Sequence, residues 1–384
     1  MGGRLALRRR GGPYHGGMMR GFVTCGVGVV LAVALGGCAL PADDAPIVRL
    51  RPVPPEPVAA ASQLKAVRVE AIAPVEPVKP RVARGEIVVA GQRFPVDAPV
   101  VLWTDPGGYD AYRETKVFAR DEGAPKRRFG VREAGNGTSA ARVRSGGWTL
   151  GALRDTVDQF VIHYDVAGTS RSCFRVLHDQ RNLSVHFLLD LDGTIYQTLD
   201  LRERAWHATK ANDRSVGIEI ANIGAYPAGK ASPLDSWYAP DGEGGTRVVL
   251  PGYVGDGGVR TAGFVARPSR ADPVVGTIQG EKVRMYDLTD AQYESLIALT
   301  TTLCEVFPEL RPQAPRGADG RVLDHAMSER EYRDFHGVLG HYHVQTNKID
   351  PGPAFDWERV LGGVRANLAR AGYAFEADER SGLR

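Results

Sequence analysis

The pattern of apolar and polar positions predicts several short strands in the second half of the chain. Residues 160–163 form an apolar run that ends in a histidine and leads into a Gly/Ser/Thr loop, as a buried strand that delivers a side chain at its end would do. Residues 183–200 predict two strands around the dipeptide Asp192-Gly193, which is a strong hairpin signal. Residues 216–221 predict a third strand, which carries Glu219.

Glu219 stands between two isoleucines on this third strand. Successive side chains of a strand point to opposite faces, so the carboxylate leaves the sheet on the face opposite to both neighbours. That face either meets solvent or lines a cleft, and the strand pattern alone leaves both alternatives open.

Helical periodicity appears at three places. Residues 173–180 predict a short helix. Residues 288–307 predict an amphipathic helix with Thr289 or Asp290 at its N-cap, and residues 355–373 predict a final helix. Strands that alternate with helices indicate an α/β domain with a mixed central sheet flanked by helices.

Two further segments have weaker patterns. Residues 85–155 contain strand-like pieces followed by a polar, Gly-rich stretch, and predict an accessory extension that leans on the main domain. Residues 228–280 form a Gly/Pro-rich insertion with little periodicity. Because so long a loop in a compact domain is usually functional or disordered, we expect a lid or a groove wall.

The N-terminus has the composition of a targeting segment. Basic residues precede an apolar run at 22–35, which suits a signal peptide but is too short for a membrane span of about 20 residues. The run ends in LGGCAL, which resembles a bacterial lipoprotein box with Cys38 as the lipidated residue; the alternative is a plain secretory signal. By the sorting pattern of lipoproteins, Ala39 rather than Asp after the lipidated cysteine would indicate the outer membrane of a diderm bacterium. Residues 1–37 are thus the predicted signal peptide, and 38–84 a Pro-rich tether.

The amino-acid composition mainly excludes some classes of function. The chain has 384 residues, of which 43% are hydrophobic and 24% charged, and a net charge of +3. Such a balance, without a recurrent basic run, argues against a nucleic-acid partner. The four cysteines have no paired CxxC spacing. In the body of the chain, Cys173 and Cys304 either form a disulfide or remain as buried thiols.

The densest candidate chemistry lies in GHYHVQTNKIDPGP, residues 340–353. This stretch brings His341, His343, Lys348 and Asp350 together and closes on a Pro-Gly-Pro turn, which is a loop's composition. Such a loop can aim several side chains at one point. With His163 from the distant strand, it predicts a metal site.

The motifs VIHYD, SVHFLLDLDGTIYQ, AWHA, NDRSVGIEI and GHYHVQTNKIDPGP follow one another in the order that is typical of a known family. The chain resembles the type 2 N-acetylmuramoyl-L-alanine amidases, zinc enzymes related to peptidoglycan recognition proteins. The likeness covers about 159–226 and 289–370. It implies an amidase-like fold for residues 156–374, interrupted by the insertion at 228–280.

The resemblance also implies roles for individual residues. His163, His341 and Asp350 match the zinc ligands. Glu219 matches the catalytic acid/base, and Lys348 matches the lysine that stabilises the transition state. His207, in AWHA, matches a pocket histidine near the substrate, where many bacterial relatives have glycine two positions further on and this chain has Thr209.

For two other histidines we predict no direct part in the chemistry. His343 lies two residues from His341, where a tight metal site has no room for both, so we expect it around the site or on the surface. His186 is expected to be a structural core residue.

Two histidines and one aspartate leave one position of a tetrahedral zinc for water, the pattern of a catalytic site. Zinc lowers the pKa of such a water to about 7. Attack of this water on the amide between N-acetylmuramic acid and L-Ala would create an oxyanion, which zinc and Lys348 would stabilise, and Glu219 would take the water's proton and pass it to the departing amine.

The predicted function is therefore zinc-dependent amide hydrolysis in peptidoglycan or muropeptides, at the periplasmic face of the outer membrane. The alternatives are a muropeptide-binding module without catalysis and a zinc hydrolase of another amide.

Overall fold

The computed structural model describes residues 84–118, 126–133, 143 and 145–373. The predicted signal peptide, Cys38 and the tether up to residue 83 lie outside the described residues. Within the described ranges, no helix is both long enough and apolar enough to cross a membrane.

The described part of the chain contains short strands and mostly short helices. The strands are β1 (Gly85–Val89), β2 (Gln92–Val96), β3 (Val100–Leu102), β4 (Phe129–Val131), β5 (Gln159–Tyr164), β6 (Phe187–Leu189), β7 (Ile195–Gln197), β8 (Glu203–Ala205), β9 (Ser215–Ile220), β10 (Tyr226–Pro227), β11 (Tyr238–Pro240), β12 (Thr246–Val248), β13 (Val274–Ile278), β14 (Glu281–Met285) and β15 (Gly337–Gly340). The helices are α1 (Leu150–Arg154), α2 (Ser170–Phe174), α3 (Leu234–Trp237), α4 (Asp290–Val306), α5 (Glu329–Asp334), α6 (His341–Val344) and α7 (Trp357–Arg370). A π-helical segment, Arg175–Arg181, continues α2, and Thr209–Ala211 forms a 3-10 turn.

A six-stranded mixed sheet organises the domain, in the order β15-β5-β9-β6-β7-β3. Neighbouring strands run parallel except for β6 and β7, which are antiparallel. All six residues of β5 are buried, as expected of a central parallel strand covered on both faces. The predicted α/β fold with a mixed central sheet is confirmed.

The β6–β7 hairpin forms where the Asp-Gly signal predicts it. The Asp190 amide donates to the Thr194 carbonyl at 2.9 Å, and the Gly193 amide donates to the Asp190 carbonyl at 3.0 Å. Gly193 has a φ of +81°, the left-handed conformation that a three-residue hairpin loop needs at its last position.

Helices α4 and α7 cover one face of the sheet. Thr289 caps α4 in a reciprocal capping box with Gln292, which satisfies two free backbone donors. Apolar residues of both helices, such as Leu299 and Val364, share a core with Phe160 and Ile162 of β5. Both predicted long helices are confirmed. The opposite face of β5, represented by Val161, packs against shorter segments and also carries His163.

The segment 85–155 contributes directly to the domain core. Strand β3 pairs in parallel with β7 and forms an edge of the central sheet. The β1–β2 hairpin places Ile87 and Val89 in the same core as β5, with no exposed surface. The predicted accessory extension therefore supplies an edge strand as well as core side chains.

The insertion at 228–280 contains α3, the β11–β12 ribbon and β13, which pairs with β14. It packs on the loop that follows β5. The ring of Trp237 lies where a Cβ at Gly168 would stand, 2.3 Å from the nearest ring carbon, and Arg171 forms an ion pair with Asp256 at 2.6 Å. The insertion thus packs against the segment that follows β5, and its role as a lid or a groove wall stays a prediction.

The two cysteines in the body of the chain are both buried free thiols. Burial raises the pKa of each thiol. Of the two alternatives for Cys173 and Cys304, the structure has the unpaired one.

Candidate metal centre

Three neighbouring parallel strands deliver the candidate chemistry to one edge of the sheet. His163 of β5 is the register partner of Glu219 of β9. On the other side of β5, Gly340 of β15 pairs with Ile162, so His341 follows at the level of His163. Since register partners on parallel strands point to the same face, His163 and Glu219 leave the sheet together.

His163, His341 and Asp350 form a compact buried group whose potential ligand atoms all lie within 4.8 Å of one another. His163 Nδ1 lies 2.8 Å from Asp350 Oδ2, and His341 Nδ1 lies 3.0 Å from the same oxygen. The Asp350 loop is tied to α6 because the Tyr342 amide donates to the Asp350 carbonyl at 3.1 Å. The structure therefore brings together all three predicted ligands.

The protonation states of this group suit a cation. The pKa of His163 is lowered to about 4, first by burial and then by the neighbouring His341, while Asp350 acts in the opposite sense. Burial alone would raise the pKa of Asp350, but hydrogen bonds from His163 and His341 outweigh it and hold that pKa below its usual range. A neutral imidazole and an ionised carboxylate are the forms in which these side chains bind metal.

The donor set fits zinc in number, type and spacing. Two atoms that each lie about 2.0–2.1 Å from one tetrahedral ion are roughly 3.3 Å apart. The separations of 2.8 and 3.0 Å between the ring nitrogens and Asp350 Oδ2 are close to that value. Three protein ligands leave a fourth position open.

Glu219 stands beside this group as a partly buried carboxyl. Its Oε2 is buried and has no hydrogen-bond partner among the described residues. Burial, and then the nearby charges of Asp350 and Asp165, raise its pKa well above the ordinary value, whereas Lys348 acts in the opposite sense. On this face of β9 the carboxyl is therefore only partly exposed and is not fully in solvent.

Lys348 lies on the loop between His341 and Asp350 and is partly exposed. Its amide donates to the carbonyl of Gln345, the residue that follows α6, at 3.3 Å. Its positive charge opposes protonation of His163 and favours ionisation of Glu219, so it stands near both groups.

His207 follows β8 and lies against the first ligand. Its Nδ1 is 3.0 Å from His163 Nε2, and its Nε2 is 3.3 Å from Ser215 Oγ. Both ring nitrogens are thus occupied, and a role in binding substrate stays a prediction. Thr209 has a φ of +46°, the left-handed region that favours glycine.

The other two histidines discussed are core residues. His343 has no exposed surface; its Nδ1 accepts from the Gly340 amide at 2.9 Å, and its Nε2 lies 2.8 Å from the Leu323 carbonyl. It is not a member of the ligand group, as expected, and of the two expected places the surface is wrong, because the residue is buried within α6. His186 is fully buried and bonded to backbone groups, which confirms its structural role.

Sequence reasoning missed Gln345. Its Oε1 accepts the Nε2 proton of His341 at 2.7 Å, and such a bond sets the tautomer of a metal-binding histidine. The spacing is the available signal, because Gln345 is four residues after His341 and therefore on the same side of a helical turn.

Comparison with known proteins finds related amidases. The family model for N-acetylmuramoyl-L-alanine amidase matches residues 153–353, more than half of the 384-residue chain. The 1,6-anhydro-N-acetylmuramyl-L-alanine amidase AmpD of Haemophilus influenzae is 22% identical over 195 residues. That alignment covers 48% of this chain and 61% of AmpD, so the chain spans less than two thirds of the length of this curated relative.

Among solved structures, a selenomethionine AmpD derivative is 18% identical, with a TM-score of 0.29, and the match covers 62% of this chain and 92% of that one. The Escherichia coli amidase AmiD, in complex with anhydro-N-acetylmuramic acid-L-Ala-D-γ-Glu-L-Lys, is 19% identical, with a TM-score of 0.31 and coverage of 57% and 64%. On the match of the family model over residues 153–353, the chain belongs to the N-acetylmuramoyl-L-alanine amidase family.

Proposed function

We propose that this protein is a zinc-dependent N-acetylmuramoyl-L-alanine amidase, which hydrolyses the amide between N-acetylmuramic acid and L-Ala in peptidoglycan or its fragments. One observation carries the proposal. His163, His341 and Asp350 converge as a buried ligand group. Glu219 is the register partner of His163 and has a buried oxygen with no hydrogen-bond partner in the described part of the chain. A module that only binds muropeptides would need neither an open fourth coordination position on the metal nor the carboxyl of Glu219 beside it.

His163, His341 and Asp350 are the residues that would hold the zinc ion. Bound there, zinc supplies Lewis-acid chemistry, which acidifies water and polarises a carbonyl oxygen. The ionised Asp350 and the neutral His163 keep the site in its binding form at neutral pH.

Glu219 is the proton-transfer residue in this proposal. As a base, it removes a proton from the attacking water; as an acid, it gives that proton to the nitrogen of L-Ala as the C–N bond breaks. Its raised pKa, caused first by burial, suits a carboxyl that must hold the proton between the two events. Lys348 provides positive charge where the carbonyl oxygen becomes negative.

The curated relative is named for an anhydro sugar substrate. Soluble anhydro-muropeptides are therefore the first substrates to test, followed by intact sacculi. The insertion at 228–280, which packs against the segment after β5, is the part of the domain through which this chain would distinguish between them.

Cys38 and the leader support a location at the periplasmic face of the outer membrane, with a lipid on Cys38 as the anchor. The support is the sequence LGGCAL after a basic and apolar leader. Exchange of Cys38 for alanine should release the protein from the membrane fraction; retention of this variant in the membrane fraction would contradict lipid anchoring.

The direct test of the activity is mass spectrometry of purified muropeptides incubated with the zinc-loaded protein. Peptides that begin in L-Ala and sugars that keep their lactyl group support hydrolysis. Intact muropeptides that only co-purify with the protein favour a binding module instead. Cleavage of other amides with muropeptides left intact would identify a zinc hydrolase of another class.

A further inference from the structure

His207 contacts the metal centre through a ligand. The two ring nitrogens of His163 face opposite ways: Nδ1 lies 2.8 Å from Asp350 Oδ2, and Nε2 lies 3.0 Å from His207 Nδ1. The two rings are nearly perpendicular, at 87°, with centroids 5.2 Å apart. The side of His163 that faces the other ligands is therefore Nδ1, and His207 occupies the far side.

When a metal is bound, the hydrogen bonds that link His163, His207 and Ser215 have only one consistent direction. If Nδ1 of His163 binds the ion, its proton is on Nε2, which donates to His207 Nδ1. His207 then carries its own proton on Nε2 and donates it to Ser215 Oγ at 3.3 Å. Each nitrogen has one role and none is left in conflict.

The surroundings hold His207 in this position. The Asn212 side-chain oxygen accepts from the amides of His207 and Ala208 at 3.2 and 2.7 Å. The ring lies over Gly217 of β9, where an added Cβ would be only 2.5 Å from Nδ1. Glycine at that position therefore makes the room that the ring occupies.

Arg132, outside the stretch that matches the family model, buttresses the same loop. Its buried guanidinium donates to the carbonyls of Asn212 and Leu201, both at 3.1 Å. The segment before the family domain thus helps to fix the turn that carries His207.

The second ligand has an equivalent partner, because His341 Nε2 donates to Gln345 Oε1. The structure therefore contains one acceptor for each ligand histidine. We propose that His207 is a positioning residue, which accepts the Nε2 proton of His163 and so fixes Nδ1 as the metal-binding atom. This inference rests on the proposed zinc site and gives His207 a role that does not require contact with substrate.

Zinc affinity of the full chain tests the proposal by chelator competition. His207→Phe keeps an aromatic ring over Gly217 but removes the acceptor, and should raise the zinc Kd by about 10–100-fold. His207→Asn keeps an acceptor near the position of Nδ1 and should stay within about threefold of wild type. Equal losses in both variants, or no loss in His207→Phe, would overturn the proposal.

A spectroscopic measurement separates positioning from a merely structural effect. In zinc-loaded protein labelled with ¹⁵N-histidine, His163 should show a protected Nε2 proton, and His207→Phe should expose that proton to fast exchange. Gln345→Ala is the matched control: it should affect the ring proton of His341 and leave that of His163 unchanged. A His163 proton on Nδ1 in the loaded wild type would contradict the assignment.

Zinc binding by the wild-type protein distinguishes a failure of the proposed function from a failure of this inference alone. Wild-type protein that binds no zinc would overturn the proposed function and this inference together. Wild-type protein that binds zinc, with a His207→Phe variant of equal affinity and an unchanged His163 signal, would overturn the inference alone.

Discussion

His163 and Glu219 are register partners on the adjacent parallel strands β5 and β9. The pairing places His163, a proposed metal ligand, and the carboxyl of Glu219 side by side on the face of the sheet that α4 and α7 do not cover. A shift of one residue in this register would turn one of the two side chains to the helix-covered face. The register of two buried strands therefore determines whether the site can exist.

Glu219→Gln should abolish turnover while zinc remains near one ion per chain. Glutamine keeps the shape of the side chain but cannot take up a proton, and general acid–base catalysis contributes about 10²–10⁴-fold in rate. Activity assays combined with metal analysis of the same preparation check both parts. Loss of the metal would show that Glu219 is a ligand.

Separate replacement of His341 and His343 by alanine should have different consequences. His341→Ala should lose most of the bound zinc, because it removes one of three ligands. His343→Ala should keep the zinc but lower the free energy of unfolding by about 1–3 kcal/mol, since it leaves the Gly340 amide without its acceptor. Zinc analysis and denaturant unfolding of both variants distinguish these results; zinc loss from the His343 variant alone would reverse the ligand assignment.

Gly217→Ala should weaken zinc binding by about 10-fold or more if His207 positions His163, because the added Cβ would push the His207 ring away. Gly362→Ala is the control, since its Cβ would meet nothing within 4 Å on helix α7. The control should keep wild-type affinity and lose no stability. Zinc titrations of both variants check this, and a Gly217 variant with unchanged affinity would contradict it.

Asp190 should make the protein less stable as the pH rises. Burial raises its pKa to about 7 in the folded state, compared with about 3.9 in an unfolded chain. Between these values the folded state binds more protons than the unfolded state, so the free energy of unfolding falls as the pH increases from about 4 to 7. Asp190→Asn should remove this dependence and gain stability relative to wild type, on the order of a few kcal/mol at pH 8. Urea unfolding of both proteins at pH 5 and pH 8 tests this; a constant difference would contradict it.

Local signals in the sequence predict much of the fold and the ligand group. The Asp192-Gly193 hairpin, the capped helix α4 and the histidine at the end of β5 each depend on a few neighbouring residues. The three ligands follow from a loop that can aim side chains at one point and from a family resemblance that pairs it with His163.

Other features depend on long-range contacts that no local pattern encodes. No turn motif in the sequence indicates the parallel pairing of β3 with β7. From the sequence alone, the segment 85–155 therefore looks like an extension. The burial of His343 depends on the Leu323 carbonyl, which belongs to a separate loop. Contacts of Arg132 and Gln345 with the site are likewise set by packing, and their residue types alone do not distinguish them from ordinary surface residues.

Hydrolysis of an anhydro-muropeptide in ¹⁸O-labelled water, followed by mass spectrometry, tests the central claim most directly. With zinc-loaded wild-type protein, we predict one ¹⁸O atom in the lactyl carboxylate of the muramic acid product and an unlabelled peptide that begins with the free amine of L-Ala. Label in a peptide carboxylate, or intact substrate after prolonged incubation with protein shown to contain zinc, would contradict the account.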